Sequence, residues 1–145
     1  MKQITRLICG IVILTVPSIE YGGTFLLNLI SGYEEDMALT DFQEAMFRAG
    51  HAHAGVLVIL ALVALILSDY AHLPTFGLWL IRIGFPLSAI LISGGFFAAA
   101  IGPQLTEPNE WIILLYVGLC LLGLALIVLG IGLIRKLPSS DPSPT

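Results

Sequence analysis

The sequence predicts an all-α integral membrane protein, a four-helix bundle with both termini cytoplasmic, and three observations carry that reading. Of its 145 residues 57% are hydrophobic and 11% charged, against about a quarter charged in an ordinary soluble domain. The mean hydropathy is +0.98. Four apolar stretches, at 4–30, 42–68, 75–101 and 111–134, are separated by polar or turn-forming residues, and each exceeds the ~20 residues that cross a bilayer. These spans leave no room for a soluble domain. A formal charge of −4 without a basic patch removes nucleic acid as a partner. Cys9 and Cys120 each sit inside an apolar run, which is the pattern of neither a disulfide framework nor a zinc site.

In the first stretch Lys2 and Arg6 accompany the start of the apolar run, as in a secretory signal. No A-x-A-like site follows and the chain turns apolar again at 24–30, so a span is expected rather than a cleaved leader. Pro17 has no N–H for the Ile13 carbonyl and Gly22-Gly23 weakens the next turn, which predicts a kink around Glu20-Tyr21. Asp41 followed by Glu44 fits a capping box at the start of the second span, and Asn109 fits a cap for the fourth. In the third, Pro86 frees the carbonyl of Arg82. That arginine falls about 10 Å from the inner face, close enough to snorkel as an interface anchor. Gly94, Gly95, Ala98, Ala99 and Gly102 form a small-residue stripe, and Gly118, Gly123 and Gly130 thin the fourth span, so these helices are expected to touch. The segment 137–145, rich in proline and serine, reads as a disordered cytoplasmic tail behind a membrane domain at 1–136.

Orientation follows from Lys2, Arg6, Arg135 and Lys136, because the connections at 31–41 and 102–110 contain no Lys or Arg. The expected location is the inner (plasma) membrane, multi-pass. Glu34, Glu35, Asp36, Asp41, Glu107 and Glu110 then belong to solvated outer loops.

Ionisable residues within spans are rare in lipid and mark functional candidates. Here they are Glu20, Arg48, His51, His53 and Arg82. At 1.5 Å per residue Glu20 falls roughly 6 Å, and Arg48 roughly 9 Å, below the outer boundary, so an ion pair between the first two spans is expected. His51 and His53 are about 200° apart around a helix. That makes them a poor metal chelate alone, with Glu20 the one internal carboxylate on another span able to complete it. Tyr116 is a candidate hydrogen-bond partner for the histidines. His72 lies in the turn at 69–74, about 30 Å from His51, and is outside this group.

The run Phe47-Arg48-Ala49-Gly50-His51-Ala52-His53-Ala54-Gly55 resembles an uncharacterised family of small bacterial four-span membrane proteins. The likeness continues through Tyr21-Gly22-Gly23, Phe96-Phe97, Pro108-Asn109, Tyr116-x-Gly118 and Gly130-x-Gly132-Leu133-x-Arg135. It implies the four-span architecture and no particular activity. H-E-x-x-H, G-x-S-x-G and phosphate-binding glycine loops are all missing from the sequence. Three functions fit these residues: a proton- or cation-binding or translocating protein using Glu20, Arg48, His51 and His53; a structural or accessory subunit whose polar groups pin helices; and a metal- or haem-dependent redox component using His51 and His53. The partners implied are the lipid bilayer and either a second copy or another membrane protein. The cofactor is open, with a metal not favoured.

Overall fold

The computed structural model describes residues 1–31 and 39–135. The loop residues Glu34, Glu35 and Asp36, as well as Lys136 and the proposed tail at 137–145, lie outside the described residues. Among the described residues the regular structure is helical: α1 (Gln3–Leu14), α2 (Val16–Ile30), α3 (Asp41–Ser68), α4 (Thr75–Ala99) and α5 (Ile112–Ile134). The stretch Gln3–Ile30 and the helices α3, α4 and α5 are each long and apolar enough to cross a membrane. Exposed aromatic residues sit near both ends of the bundle, Trp111 and Tyr116 at one and Tyr70 and Trp79 at the other, as membrane–water interfaces favour.

The first span is broken at Thr15, not at Glu20-Tyr21, which lie within regular α2. Proline removes the bond to the residue four positions earlier and crowds that carbonyl, so the disruption from Pro17 falls on the turn before it. Pro17 itself stands in the first turn of α2, where a missing N–H breaks no helical bond. The Thr15 hydroxyl donates to the Val12 carbonyl (2.7 Å) and the Ser18 hydroxyl to the Thr15 carbonyl (2.6 Å), so side chains replace part of the lost ladder. In contrast α4 remains helical across Pro86.

The cap of α3 is Thr40 rather than Asp41. Thr40 has the extended backbone that a cap requires, its hydroxyl accepts the Gln43 N–H (3.2 Å), and its own N–H donates to Gln43 Oε1 (3.2 Å). Asp41 and Glu44 are already helical and add negative charge to the first turn, which suits the positive end of the helix dipole. Asn109 accepts the Trp111 N–H (2.9 Å) just ahead of α5.

One end of the bundle gathers both described termini: the Lys2 N–H meets Asp69, and the His72 N–H donates to the Gly132 carbonyl (2.8 Å). At the other end, the loop end, Thr40 and Gln43 meet the segment after α4. The core lies among α3, α4 and α5, with Ala61, Ala64, Ile81, Phe85, Ala125 and Leu129 in one buried cluster and Leu57, Ala89 and Ile92 in another. Two glycines let α4 and α5 approach closely. A Cβ on Gly95 would lie 2.5 Å from the Leu115 nitrogen, and one on Gly118 would lie 2.9 Å from the Ile92 nitrogen. Gly94, Gly123 and Gly130, expected in the same contact, have open space where a Cβ would go, because they fall on other faces of their helices. The first span adds a thinner layer, in which Cys9 and Val12 pack against Leu65 of α3.

Candidate functional site

Arg48 lies on the exposed stripe of α3 that includes Ala45, Ala52, Val56, Ile59 and Val63. It pairs with Glu44, one turn earlier on its own helix, and its side chain is 60% exposed. The expected partner, Glu20, is exposed on α2 and forms no ion pair among the described residues. Matching depth therefore did not produce contact: a carboxylate four residues away on the same helix is always within reach, whereas contact across helices also requires that both side chains face the seam. In a 30 Å hydrocarbon layer centred on its span, Glu20 lies about 10 Å below the loop-end boundary.

The two histidines diverge. His51 faces α2, where a Cβ on Gly23 would come within 2.7 Å of His51 Cε1 and 2.8 Å of Nε2; Gly23 is about one turn beyond Glu20, whose own side chain is exposed. His53 turns toward α4, its ring centroid 4.9 Å from that of Phe96, and its Nδ1 donates to the Ala49 carbonyl (2.7 Å). Between them, Gly50 admits the rings of α4: a Cβ there would lie 3.0 Å from Phe97 and 3.1 Å from Phe96. Gly50, His51 and His53 of the R-A-G-H-A-H-A-G run are thus explained by packing, whereas Arg48 and Ala52 are exposed and Gly55 has open space beside it. Tyr116 is exposed on α5 and bonds to neither histidine. No group of three His, Cys, Asp or Glu among the described residues comes together to hold a metal ion, and the opposed rings of His51 and His53 do not form a chelate.

The most buried charge is one the sequence places at the interface. Arg82 is 6% exposed and turned inward, not snorkelling. Its Nη2 lies 3.4 Å from Asp69 Oδ1 and 3.4 Å from the Thr5 hydroxyl oxygen. Thr5 donates to Asp69 Oδ1 (2.6 Å) and the Lys2 N–H to Oδ2 (2.6 Å), while Arg82 Nε is buried without a partner. Two segments, the start of α1 and the first half of α4, therefore converge on one carboxylate in the turn after α3. Burial pushes the Asp69 carboxyl up, but the Thr5 hydroxyl, the Lys2 N–H and the positive charges of Lys2 and Arg82 outweigh it and hold the group below the usual carboxylate range. One signal for this contact is present in the sequence: helical side chains lean toward the N-terminus of their helix, so Arg82 reaches back toward the turn that holds Asp69.

At the loop end, Gln43 is 4% exposed, and its Nε2 donates to the carbonyls of Ala100 (3.0 Å) and Gly102 (2.8 Å). The Thr40 hydroxyl bonds to the Leu105 carbonyl, and Asn109 Nδ2 donates to Ala98 (2.9 Å) and Ile101 (3.1 Å). These bonds take up carbonyls left over where α4 ends. At mid-height a crevice of about 330 Å³ opens between the broken first span, α3 and α4. The chain matches no protein-family model, no curated protein and no solved structure, so function has to be read from these residues.

Proposed function

We propose that this chain is a non-catalytic accessory subunit of a membrane complex, held in the plasma membrane with both termini cytoplasmic, that meets a partner chain along α2 at Glu20. The resemblance to small four-span membrane proteins belongs to the same proposal. The observation that supports it most is the contrast between the two kinds of charge. Inside the bundle Arg82 is matched by Asp69, whereas Glu20 is exposed at hydrocarbon depth with no ion pair among the described residues. An ionised side chain turned toward lipid is unfavourable by about 2.5–3.5 kcal/mol at the centre of the layer, on insertion scales. A neighbouring transmembrane helix that presents a cation or a hydrogen-bond donor at the same depth removes that penalty. Lys2, Arg6 and Arg135 share one end of the bundle and support the cytoplasmic assignment of that end.

Proton or cation binding is the second reading, favoured by the placement of His51 against Gly23, one turn from Glu20. Translocation is less well supported, because apolar clusters without ionisable side chains separate this region from Arg82 and Asp69.

The test is photo-crosslinking in native membranes from a benzoylphenylalanine placed at Tyr21. The expected result is a discrete adduct of higher mass that weakens severalfold in Glu20→Gln and is not obtained from Ile127 on α5. Monomeric protein with no adduct from either position overturns the accessory reading. A reporter fused after Arg135 that reads as periplasmic overturns the orientation.

A further inference from the structure

The mid-height crevice is bounded by Thr15 and Ile19 of the first span, Ala54 and Val58 of α3, and Ala89 and Ser93 of α4. Its existence follows from the fold: Thr15 breaks the first span, and the small side chains of Ala54 and Ala89 leave the facing helices thin at that level. The walls are almost wholly aliphatic, with no charged group among them.

Three hydroxyl residues line the cavity, Thr15, Ser18 and Ser93; the first two donate to backbone carbonyls, and Ser93 is the one that gives the crevice chemistry. It is 7% exposed, and its hydroxyl is buried without a hydrogen-bond partner. A serine or threonine in a membrane helix ordinarily donates to a carbonyl of the preceding turn. Thr15, Ser18, Thr24, Ser68 and Ser88 all do so in this protein. Among the described residues Ser93 is the buried helix hydroxyl without a partner, on a residue that lines a cavity, and a turn about its Cα–Cβ bond is what would present the closed-off hydroxyl to the crevice. An unmet donor in apolar surroundings is unfavourable, and an acceptor brought into the crevice relieves it.

We propose that this crevice binds an uncharged lipophilic molecule carrying a carbonyl oxygen, which accepts the Ser93 hydroxyl while the apolar body packs against Ile19, Val58 and Ala89. The aliphatic walls exclude an ionised ligand, since nothing there offsets its desolvation. The volume lies at the small end of the range of about 300–1,000 Å³ found for small-molecule sites, suiting a compact ring system or a short chain. Depth separates this ligand from the surrounding phospholipid. With the hydrocarbon layer centred on α4, Ser93 lies about 6 Å below the boundary near which ester carbonyls reside, so the acceptor belongs to a molecule that dissolves in the hydrocarbon layer.

Benzophenone is a suitable probe, being an uncharged ketone that inserts into nearby C–H bonds on illumination. The full-length protein in phosphatidylcholine nanodiscs should be labelled saturably, with adducts mapping to the segments that carry Ile19, Val58 and Ala89. Unlabelled fluorenone should compete several times better than fluorene, which has the same rings and no carbonyl. Ser93→Ala should raise the half-saturating concentration about threefold to tenfold, the worth of one neutral hydrogen bond. Ala54→Leu, which fills the crevice with carbon, should abolish saturable labelling. Both variants are checked for native helix content and monodisperse elution, and a Ser93→Thr variant that restores affinity confirms that the hydroxyl acts. Non-saturating label spread over exposed α5, equal competition by fluorenone and fluorene, or an unchanged half-saturation in a folded Ser93→Ala variant overturns the proposal.

Discussion

Replacing Asp69 by Asn keeps the side chain's shape and removes the charge that Arg82, Thr5 and the Lys2 backbone all address. Asparagine has one acceptor oxygen, so when that oxygen keeps the Lys2 N–H the amide NH2 faces Thr5, whose hydroxyl turns from donor to acceptor, and both contacts survive as weaker neutral bonds. The Arg82 side chain, 7% exposed, is left without its counter-charge and with Nε already unpartnered. Breaking a buried pair from one side costs about 3–5 kcal/mol, and the 3.4 Å separation at the end of the bundle places this case near 3. Lys2 and Thr5 are the residues of the first span that hold Asp69, so the loss falls on the attachment of α1. Cys9 reports it: the thiol is 7% exposed, packed beside Val12 against Leu65. In a Cys120→Ser background, labelling of Cys9 by a membrane-permeant maleimide should accelerate about a hundredfold, the factor that 3 kcal/mol represents. Adding Arg82→Met removes the stranded cation and should recover roughly tenfold of that. A rate within about threefold of the parent, or additive effects in the double variant, refutes the argument. Because the Asp69 carboxyl is held below its ordinary range, its contribution is fully present above about pH 4 and fades as the pH falls through the lowered value. Cys9 accessibility, followed with a dithiodipyridine reagent that works in acid, should therefore be flat from neutrality to about pH 5 and rise only below about pH 4.

Gly23→Ala drives a methyl group into the His51 ring and should destabilise the α2–α3 contact by about 1–3 kcal/mol, with His51→Ala in the same chain relieving most of it in a thermal melt. Gln43→Ala strands the carbonyls of Ala100 and Gly102 and should lower stability by about 2–3 kcal/mol, while Gln43→Glu, which cannot donate to either, should not rescue it. Arg48→Gln removes an exposed pair within one helix and should shift the same melt by no more than about 0.5 kcal/mol; a larger loss would mean that Arg48 has a structural partner beyond Glu44.

The four helical stretches were legible from hydropathy alone, with ends within two residues of those observed. Divergence of His51 and His53 was legible too, because it depends only on the angle between residues i and i+2. The pairing of charges was not. Depth along a helix follows from counting residues, but facing depends on the rotation of each helix about its axis, and α3 turns Arg48 outward. Asp69 was passed over because a carboxylate in a turn reads as solvated, although the backward lean of Arg82 leads toward it. Gln43 carries no charge and lies between acidic neighbours, so nothing in composition marks it as the residue that closes the end of α4. Ser93 is equally silent: whether a helix hydroxyl bonds to its own backbone is settled by packing.

The reciprocal glycine contact restricts how this protein can move. Each of α4 and α5 receives the other's backbone at a glycine, Gly95 opposite Leu115 and Gly118 opposite Ile92. Sliding one helix past the other by a single residue, about 1.5 Å, would bring a Cβ-bearing position to a place where only a hydrogen atom fits, and rotation about either axis does the same. Shear between packed helices, a common way for bundles to change state, is thereby closed to this pair. With α4 and α5 locked as one frame, the thinner layer formed by the first span, already broken at Thr15, is left as the less obstructed place for the bundle to move.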